Sequence, residues 1–364
     1  MKRLTITSKH EELVRQFVDE NMLYKHPHDE DISQSCKKLR LLANALEQGW
    51  HAPLDVIEKG VLIYPKRPID DLIDYLEKIR VEYRELLRIH PKDMEDKAEE
   101  FKNIIPPDEI SKIRITRVKD LKGNPLENSD EIFFHELIVQ YMRYAYVQST
   151  VFPQYVRLMG IKTCVYCNSQ YTITTRNNKT FYQLDHCWPK SKYPFFSSSF
   201  YNLQPSCGTC NLYKSDNEMR YGNYTPSIWK EADDTSTDYF IFQLKDDAIV
   251  RYELSGNTEE LEVDFKLKNE KDFDAKKLWE DYQKYFHIDE LYAEHKDVIE
   301  ELIWKKQAYS NGYLESLTDA FEGYPVAVDI PRLFIGNYTN DKDILKRPLS
   351  KMVQDIAKQL GLKM

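Results

Sequence analysis

The chain has 364 residues, of which 41% are hydrophobic and 13% aromatic, enough for an ordinary core and a length typical of two or three domains. The formal net charge of −9 excludes a protein that covers polyanions with its whole surface. The first residues hold no apolar stretch typical of a signal peptide, and no run approaches the roughly 18 apolar residues of a membrane span. We therefore expect a globular, cytoplasmic protein with no membrane partner.

A mainly helical N-terminal region is predicted for residues 1–160. Its apolar residues recur at helical spacing in three segments, at 13–18, 39–46 and 69–79. Alternation of apolar and polar residues predicts a strand at 113–118, which ends at the turn signal around Gly123. A long helix is predicted from residue 131 to about 150, with Pro153 as its kink or stop.

Residues 161–222 have little helical periodicity and are rich in Cys, Asn, Tyr, Ser and Pro. A hairpin with its turn at Asn177 and Asn178 is predicted there. The C-terminal region, residues 223–364, is predicted to contain strands at 239–244, 248–254 and 261–267, then helices at 275–321 and from 341 to the end. No repeat or flexible linker separates the three regions, so we expect them to pack on one another.

Positive charge is concentrated in one part of this acidic chain. Between Ile161 and Arg220 there are seven Lys and Arg side chains against three Asp and Glu, a net charge of +4 that leaves −13 for the rest. A local basic face on an acidic body is typical of a nucleic-acid site. A chance fluctuation within a short window is the alternative.

Four of the six cysteines form two CxxC pairs, Cys164 with Cys167 and Cys207 with Cys210. In a reducing compartment such pairs indicate metal ligation, and four thiolates predict one tetrahedral zinc ion. The 39 residues between the pairs exceed the insert of a compact zinc ribbon, so the ion would clamp the two ends of an inserted structure. The pairs by themselves favour a purely structural knuckle.

Asp185 and His186 end the second strand of the inserted hairpin. Adjacent residues of a strand point to opposite faces, but twist at a strand end brings both to one rim. Asp185 offers a hard oxygen ligand for a divalent metal, and His186 offers a neutral imidazole near physiological pH. Phosphodiester hydrolysis needs a base for water and a cation for the developing charge, which this dyad supplies. An isolated Asp-His pair is more often filler, so its neighbours decide.

The neighbours of the dyad follow a specific order. Leu184-Asp185-His186-x-x-Pro189-Lys190-Ser191 is followed by Asn202-Leu203 and then by Cys207-x-x-Cys210-Asn211-x-x-Lys214. Over about sixty residues this order resembles the HNH, or ββα-metal, endonuclease family. It is similar to HNH nucleases of bacterial anti-phage systems, of the Septu type and retron-associated, which often work beside an ATPase or sensor protein.

Carried over position by position, the resemblance implies roles for five side chains. His186 is the general base, while Asp185 and Asn211 hold the catalytic Mg²⁺ or Mn²⁺. Asn202 holds the loop and orients the base. Lys214, one helical turn after Asn211, contacts the phosphate, and a solvated helix lysine is the alternative. Many relatives have His in place of Asn211, and the change favours one hard metal ion with several waters.

Residues beside the dyad complete the predicted site. The candidate phosphate contacts are Arg176, Lys190 and Lys192. The aromatic residues of this segment are more typical of packing than of stacking on bases: Trp188, Tyr193, Phe195 and Phe196. The two remaining cysteines, Cys36 and Cys187, are predicted to be buried thiols.

We therefore expect an α+β chain in which mainly helical flanking regions surround a small zinc-braced ββα-metal unit at 161–222, with a short antiparallel β segment after it. The resemblance implies a DNA-cutting HNH endonuclease that acts as an anti-phage effector. An RNA-cutting nuclease and a non-catalytic zinc module that binds nucleic acid or protein are the alternatives. A homo-oligomer is compatible with this function, because cutting both strands with one active site usually needs a dimer or two visits.

Overall fold

The structure is a computed structural model that describes residues 3–21, 33–231, 239–309, 311–321 and 328–362. Helices and small, mostly antiparallel sheets make up the fold, so the predicted α+β class is confirmed. Buried apolar side chains form one cluster that extends from Ile6 to Leu360 and includes all three predicted regions. No helix within the described residues is long and apolar enough to cross a bilayer.

The N-terminal region contains the three helices that the apolar spacing predicts. Its elements are β1 (Leu4–Thr5), α1 (Ser8–Arg15), α2 (Gln34–Glu47), β2 (His51–Leu54), β3 (Val56–Glu58), β4 (Val61–Tyr64), α3 (Ile69–Arg88), α4 (Met94–Lys102), α5 (Pro107–Ile110), β5 (Arg114–Lys119), β6 (Pro125–Phe133), α6 (Phe134–Tyr141), α7 (Tyr144–Tyr146) and α8 (Phe152–Met159). The predicted helices correspond to α1, α2 and α3, and the predicted strand to β5.

The segment predicted to begin a helix at residue 131 is instead the end of strand β6. β6 pairs with β5, and β5 pairs with β2, in a three-stranded antiparallel sheet. Opposite charges face each other across the two strands. Nε of Arg117 donates to Oδ1 of Asp130 at 2.8 Å, and Nη1 of Arg114 lies 3.7 Å from Oε2 of Glu131. The prediction was wrong because an exposed edge strand made of polar residues shows no apolar alternation.

The helix predicted up to residue 150 is broken rather than continuous. After α6, Arg143 adopts a left-handed conformation with φ of 61°. A π-helical turn, Val147–Val151, follows α7. Pro153 is the second residue of α8 and directly follows this π-helical turn. The helical run therefore passes through Pro153 without a stop, and the break lies at Arg143.

The central region contains β7 (Ile173–Thr174), β8 (Thr180–Phe181), β9 (Gln183–His186), β10 (Leu203–Ser206) and α9 (Gly208–Lys214). β7 and β8 form the predicted hairpin. β9 pairs antiparallel with β10, with His186 opposite Leu203 and Asp185 opposite Gln204. The strand predicted from residue 200 begins only at Leu203, because Phe200–Asn202 is a 3-10 helix. Strand, loop, strand and helix thus follow in the predicted order.

The C-terminal region contains β11 (Trp229–Lys230), β12 (Phe240–Leu244), α10 (Ala248–Ser255), β13 (Val263–Leu267), α11 (Phe273–Phe286), α12 (Ile288–Ala293), α13 (Lys296–Ala308), α14 (Asn311–Phe321), α15 (Ile330–Ile335) and α16 (Ser350–Gln359). β12 and β13 pair antiparallel, which confirms two of the three predicted strands. The predicted helix at 275–321 is divided among α11 to α14. α16 forms part of the predicted last helix, whose final two residues lie outside the described ones.

The third predicted strand, at 248–254, was wrong because this segment is helix α10. Its buried residues Ala248 and Tyr252 are four apart, so they lie on one helical face. Gly256 ends the helix with φ of 67°, a conformation that glycine adopts at no steric cost. The β-branched residues Ile249 and Val250 produced the strand-like pattern.

Candidate active site and metal centre

The two CxxC pairs come together in the structure. The four sulfur atoms, which belong to Cys164, Cys167, Cys207 and Cys210, all lie within 4.8 Å of one another. A tetrahedral zinc ion with Zn–S bonds of about 2.3 Å needs sulfurs about 3.8 Å apart, so sulfurs this near one another could hold such an ion. Three of the cysteines are buried and Cys207 is partly exposed. The predicted four-cysteine metal site is therefore confirmed as a cluster able to hold a metal such as zinc.

Each pair lies where a tight turn brings two sulfurs to one side. In the first pair, Asn168 adopts a left-handed conformation with φ of 55°, and its N–H donates to the Cys164 carbonyl at 2.9 Å. In the second pair, Cys207 is the N-cap of α9 and Cys210 lies in its first turn. A hydrogen bond from the Cys164 thiol lowers the pKa of Cys167 and of Cys207, while burial raises the pKa of Cys164. Thiolate is the form of cysteine that binds metal.

Asp185 lies on β9 with only 5% of its surface exposed. One of its carboxylate oxygens, Oδ2, accepts a hydrogen bond from the Tyr166 hydroxyl and lies 3.0 Å from the Lys214 ammonium nitrogen. The other oxygen, Oδ1, has no hydrogen-bond partner within the described part of the chain. A hard divalent cation is commonly held by one or two carboxylate oxygens and several waters. Oδ1 is thus the oxygen of Asp185 that such an ion would contact.

Lys214, the last residue of α9, is fully buried. Besides its contact with Asp185, its ammonium group donates to the His186 carbonyl at 2.8 Å. The ion pair and the hydrogen bond hold the end of α9 against β9. The ammonium is not exposed to a phosphate in this arrangement, and the solvated-lysine alternative is wrong because the side chain has no exposed surface.

The His186 side chain is 5% exposed. Its Nε2 lies 2.9 Å from the Ser197 carbonyl oxygen, which only accepts, so Nε2 carries the proton of the neutral ring and Nδ1 keeps a lone pair. The Tyr144 ring lies against the imidazole at 4.9 Å between centroids. Burial lowers the pKa of His186 to about 3, and Lys190 adds a smaller effect in the same direction. The imidazole is therefore neutral at physiological pH.

Asn202 is fully buried and holds the loop after the dyad. Its Oδ1 accepts from the Trp188 N–H at 2.7 Å, and its Nδ2 donates to the carbonyls of Trp188 and Phe196 at 3.1 and 3.0 Å. Phe196 precedes Ser197, whose carbonyl holds the His186 ring. Asn202 thus acts on the imidazole through the loop, without a contact to the dyad side chains.

Asn211 lies one helical turn before Lys214 and is half-buried. Its Nδ2 donates to Oε1 of Gln183 at 2.8 Å. Gln183 precedes Asp185 by two residues and shares its face of β9. Asn211 and Lys214 therefore contact successive residues of one strand face, and the Asn211 amide is not hydrogen-bonded to Asp185. Its predicted role as a second metal ligand stays a prediction.

The three predicted phosphate contacts lie in different surroundings. Lys190 is exposed, its ammonium lies 4.9 Å from the centre of the Tyr144 ring, and its charge acts on His186. Lys192 is paired with Asp108 and Glu218 at 3.2 and 3.1 Å. Arg176 is exposed at the tip of the hairpin between β7 and β8. Of the three, Lys190 is the one that the structure brings to the dyad.

The aromatic residues after the dyad are buried and pack on one another, as predicted. The Trp188 ring makes edge contacts with Tyr193 and Phe196 at 4.8 and 5.6 Å. The two cysteines outside the CxxC pairs, Cys36 and Cys187, are also buried, which confirms their prediction as buried thiols.

Two tyrosines of the site were missed in the sequence. Tyr166 bonds to Asp185, and Tyr144 packs on His186 while its hydroxyl donates to the Leu184 carbonyl at 3.4 Å. The position of Tyr166 between two metal-ligating cysteines was the available signal, since such a residue is fixed beside the site. Tyr144 lies forty residues from the dyad and gave no local signal.

The charges around the dyad partly offset one another. Asp185 is paired with Lys214, His186 is neutral, and the positive charge of Lys190 is partly offset by Glu136. The exposed ammonium group of Lys190 is the positive charge that a phosphate could contact here. No protein-family model, curated protein or solved structure matches the chain.

Proposed function

We propose that this chain is a metal-dependent endonuclease that hydrolyses phosphodiester bonds of DNA at an HNH-type site. The observation that carries the proposal is the state of His186, whose Nε2 donates to a fixed carbonyl while Nδ1 keeps its lone pair. A general base for water needs such an oriented, unprotonated nitrogen. The order of the surrounding strands, loop and helix, and the cysteine cluster that holds their ends, support the same assignment.

Each side chain has a distinct task in this proposal. His186 takes a proton from the attacking water. Its pKa of about 3 makes it a weak base in the free protein, and a bound phosphate raises that pKa by placing negative charge beside the ring. Asn202 and the Ser197 carbonyl fix the ring orientation. Lys190, exposed beside the dyad, contacts the phosphate.

Asp185 holds the divalent cation, Mg²⁺ or Mn²⁺, through its free oxygen Oδ1. When bound, this ion supplies positive charge at the phosphate and at the leaving oxygen. Asn211 is a second candidate ligand through its own carbonyl oxygen, since only its Nδ2 is engaged by Gln183. The zinc ion is structural and holds the two ends of the unit together.

The biological setting is proposed from the resemblance to defence-system HNH nucleases. In this setting the chain is an anti-phage effector in the cytoplasm, and an ATPase or sensor protein controls when it cuts. If the partner activates the nuclease, the isolated chain will be inactive; if the partner only brings it to its substrate, the isolated chain will cut. The assay therefore includes infected-cell extract as one condition.

The test is nicking of supercoiled plasmid with Mg²⁺ or Mn²⁺, with and without infected-cell extract. We expect His186→Ala to abolish cutting while zinc content and folding are retained. His51→Ala, which removes another buried histidine on β2, should leave cutting intact. Plasmid cleavage that persists in His186→Ala would refute the proposal.

The same assay separates the alternatives. Parallel digestion of duplex DNA, single strands and total RNA assigns the substrate, and preferential cleavage of RNA replaces DNA in the proposal. A non-catalytic zinc module predicts nucleic-acid or protein binding that His186→Ala leaves unchanged, without cleavage under any of these conditions.

A further inference from the structure

Tyr166 connects the cysteine cluster directly with the dyad. It lies between Cys164 and Cys167, it has no exposed surface, and its hydroxyl donates to Oδ2 of Asp185. Its ring stacks on Phe286 of α11, with centroids 4.8 Å apart and planes at 12°. Resting on the proposed function, we propose that Tyr166 is the positioning residue through which the four-cysteine cluster orients Asp185 towards the divalent cation.

The backbone on both sides of Tyr166 is fixed independently of the tyrosine itself. The Val165 N–H donates to the Pro205 carbonyl of β10 at 3.2 Å. The Cys167 carbonyl accepts from the Tyr292 hydroxyl at 2.7 Å. The two flanking sulfurs lie in the cluster and the ring is stacked on Phe286, so both ends of the Tyr166 side chain are held in place.

The second cysteine pair reaches the same oxygen by another route. Cys207 begins α9, and Lys214 at the end of that helix lies 3.0 Å from Oδ2 of Asp185. One donor from each half of the cluster thus occupies Oδ2. Rotation of the carboxylate would break both contacts, so Oδ1 stays in one direction as the free oxygen. Hydrogen bonds to a ligating carboxylate tune metal binding in this way.

Burial alone does not explain the contact. The hydroxyls of Tyr155 and Tyr201 are also buried, and neither has a hydrogen-bond partner in the part of the chain that the structure describes. This fold therefore tolerates buried phenols without an acceptor.

The experiment compares Tyr166→Phe with Tyr155→Phe in the full-length, zinc-loaded chain. Each change removes one buried hydroxyl, but only the first hydroxyl bonds to Asp185. Electron paramagnetic resonance of free Mn²⁺ gives the Mn²⁺ affinity without any cleavage. We expect Tyr166→Phe to lower this affinity by about 10- to 100-fold and Tyr155→Phe to leave it unchanged, with equal zinc content. On nucleic acid, Tyr166→Phe should lower kcat and leave KM unchanged.

An Mn²⁺ affinity of Tyr166→Phe within twofold of the wild type overturns the inference, as does a wild type that binds no Mn²⁺. Neither result decides the proposed function, which depends on cleavage and its loss in His186→Ala. Should Tyr166→Phe not fold, 3-fluorotyrosine at position 166 keeps the hydroxyl and reports by fluorine NMR. Mg²⁺ should then shift the resonance with Asp185 present and not in Asp185→Asn, and an unshifted resonance with Asp185 present overturns the inference.

Discussion

Because the folded protein keeps the His186 ring neutral, its free energy of unfolding decreases as the pH falls. Its pKa in the folded protein is about 3, below the ordinary value of 6.5, because burial disfavours the charged ring. The unfolded chain binds a proton below pH 6.5 that the folded chain does not. The stability associated with His186 is therefore fully present above pH 6.5 and is lost as the pH falls towards 3.

The protonation of His186 should therefore make the free energy of unfolding depend measurably on pH. Between pH 6.5 and 5.5, the wild type should lose about 1 kcal/mol more of its free energy of unfolding than His186→Gln loses. His295→Gln, which changes a half-exposed histidine, should follow the wild type. Urea denaturation at the two pH values measures the difference. Parallel losses in all three proteins would show that His186 titrates normally.

Lys214 should stabilise the metal-free protein. Its contact with Oδ2 helps to orient Asp185, but its positive charge should oppose cation binding more strongly than this orientation favours it. Lys214→Met leaves Asp185 buried without its cation, which typically costs about 3–5 kcal/mol of unfolding free energy. Mn²⁺ should then recover more stability in this variant than in the wild type, because the competing charge is gone. Thermal unfolding with and without Mn²⁺ measures the recovery.

Lys351→Met is the matched control for Lys214→Met. Lys351 is equally buried and pairs with Asp355 at 2.6 Å, in a contact that does not involve the dyad. We expect a similar loss of stability and no additional recovery with Mn²⁺. The same Mn²⁺ response in both variants would contradict a cation site at Asp185.

At the residue scale, the sequence predicted which residues form the cysteine cluster, but it did not predict the contacts of Lys214 and Tyr166. The i,i+3 spacing of Cys164 with Cys167 is a local property, and the cluster formed as predicted. The burial of Lys214 depends on how α9 packs against β9, which no local pattern encodes. Tyr166 was passed over for the same reason, since its acceptor is nineteen residues away.

Among the elements, the loop between β9 and β10 depends on one amide. Asn202→Ala leaves the Trp188 N–H and two carbonyls without their partners, and we expect a loss of about 2–4 kcal/mol of unfolding free energy. Hydrogen exchange in residues 187–197 should rise most. Cleavage should fall with it, because the Ser197 carbonyl then no longer fixes His186.

Asn217→Ala provides the comparison for Asn202→Ala. Asn217 is half-buried and makes one side-chain hydrogen bond, to the Lys214 carbonyl at 2.9 Å. We expect a loss of about 1 kcal/mol, with exchange in 187–197 unchanged. Protection of the loop that survives Asn202→Ala would mean that the buried aromatic residues hold it instead.

The elements that the sequence predicted correctly are those whose pattern reflects one buried face, such as α3 with its apolar residues at helical spacing. β6 and α10 were predicted incorrectly for opposite reasons. β6 is an exposed edge held by charge pairs with β5, and it has no apolar pattern to read. α10 has β-branched residues on its exposed side, which imitate a strand.

On the scale of the whole molecule, the cysteine cluster is connected with the distant C-terminal region. Asn168, next to Cys167, donates through its Nδ2 to the Ile344 carbonyl at 3.0 Å. Its backbone carbonyl accepts from the Leu349 N–H at 2.7 Å, and its Oδ1 accepts from the Lys351 N–H at 3.1 Å. The turn that holds two sulfurs therefore also holds the start of α16.

Loss of the metal should consequently affect more than the central region. We expect the wild type, prepared without added metal, to contain about one zinc per chain, and Cys164→Ser to lose it. Cys164→Ser should lower the melting temperature and increase hydrogen exchange in α16 as well as around the dyad, because both depend on the turn at Asn168. Cys187→Ser keeps the contact of its side chain with the Thr225 hydroxyl and should retain zinc, stability and cleavage. Equal zinc loss in the two variants would contradict the assignment of Cys164, and not Cys187, as a zinc ligand. Hydrogen exchange in α16 that stays the same when a chelator removes zinc would contradict the coupling of α16 to the cysteine cluster.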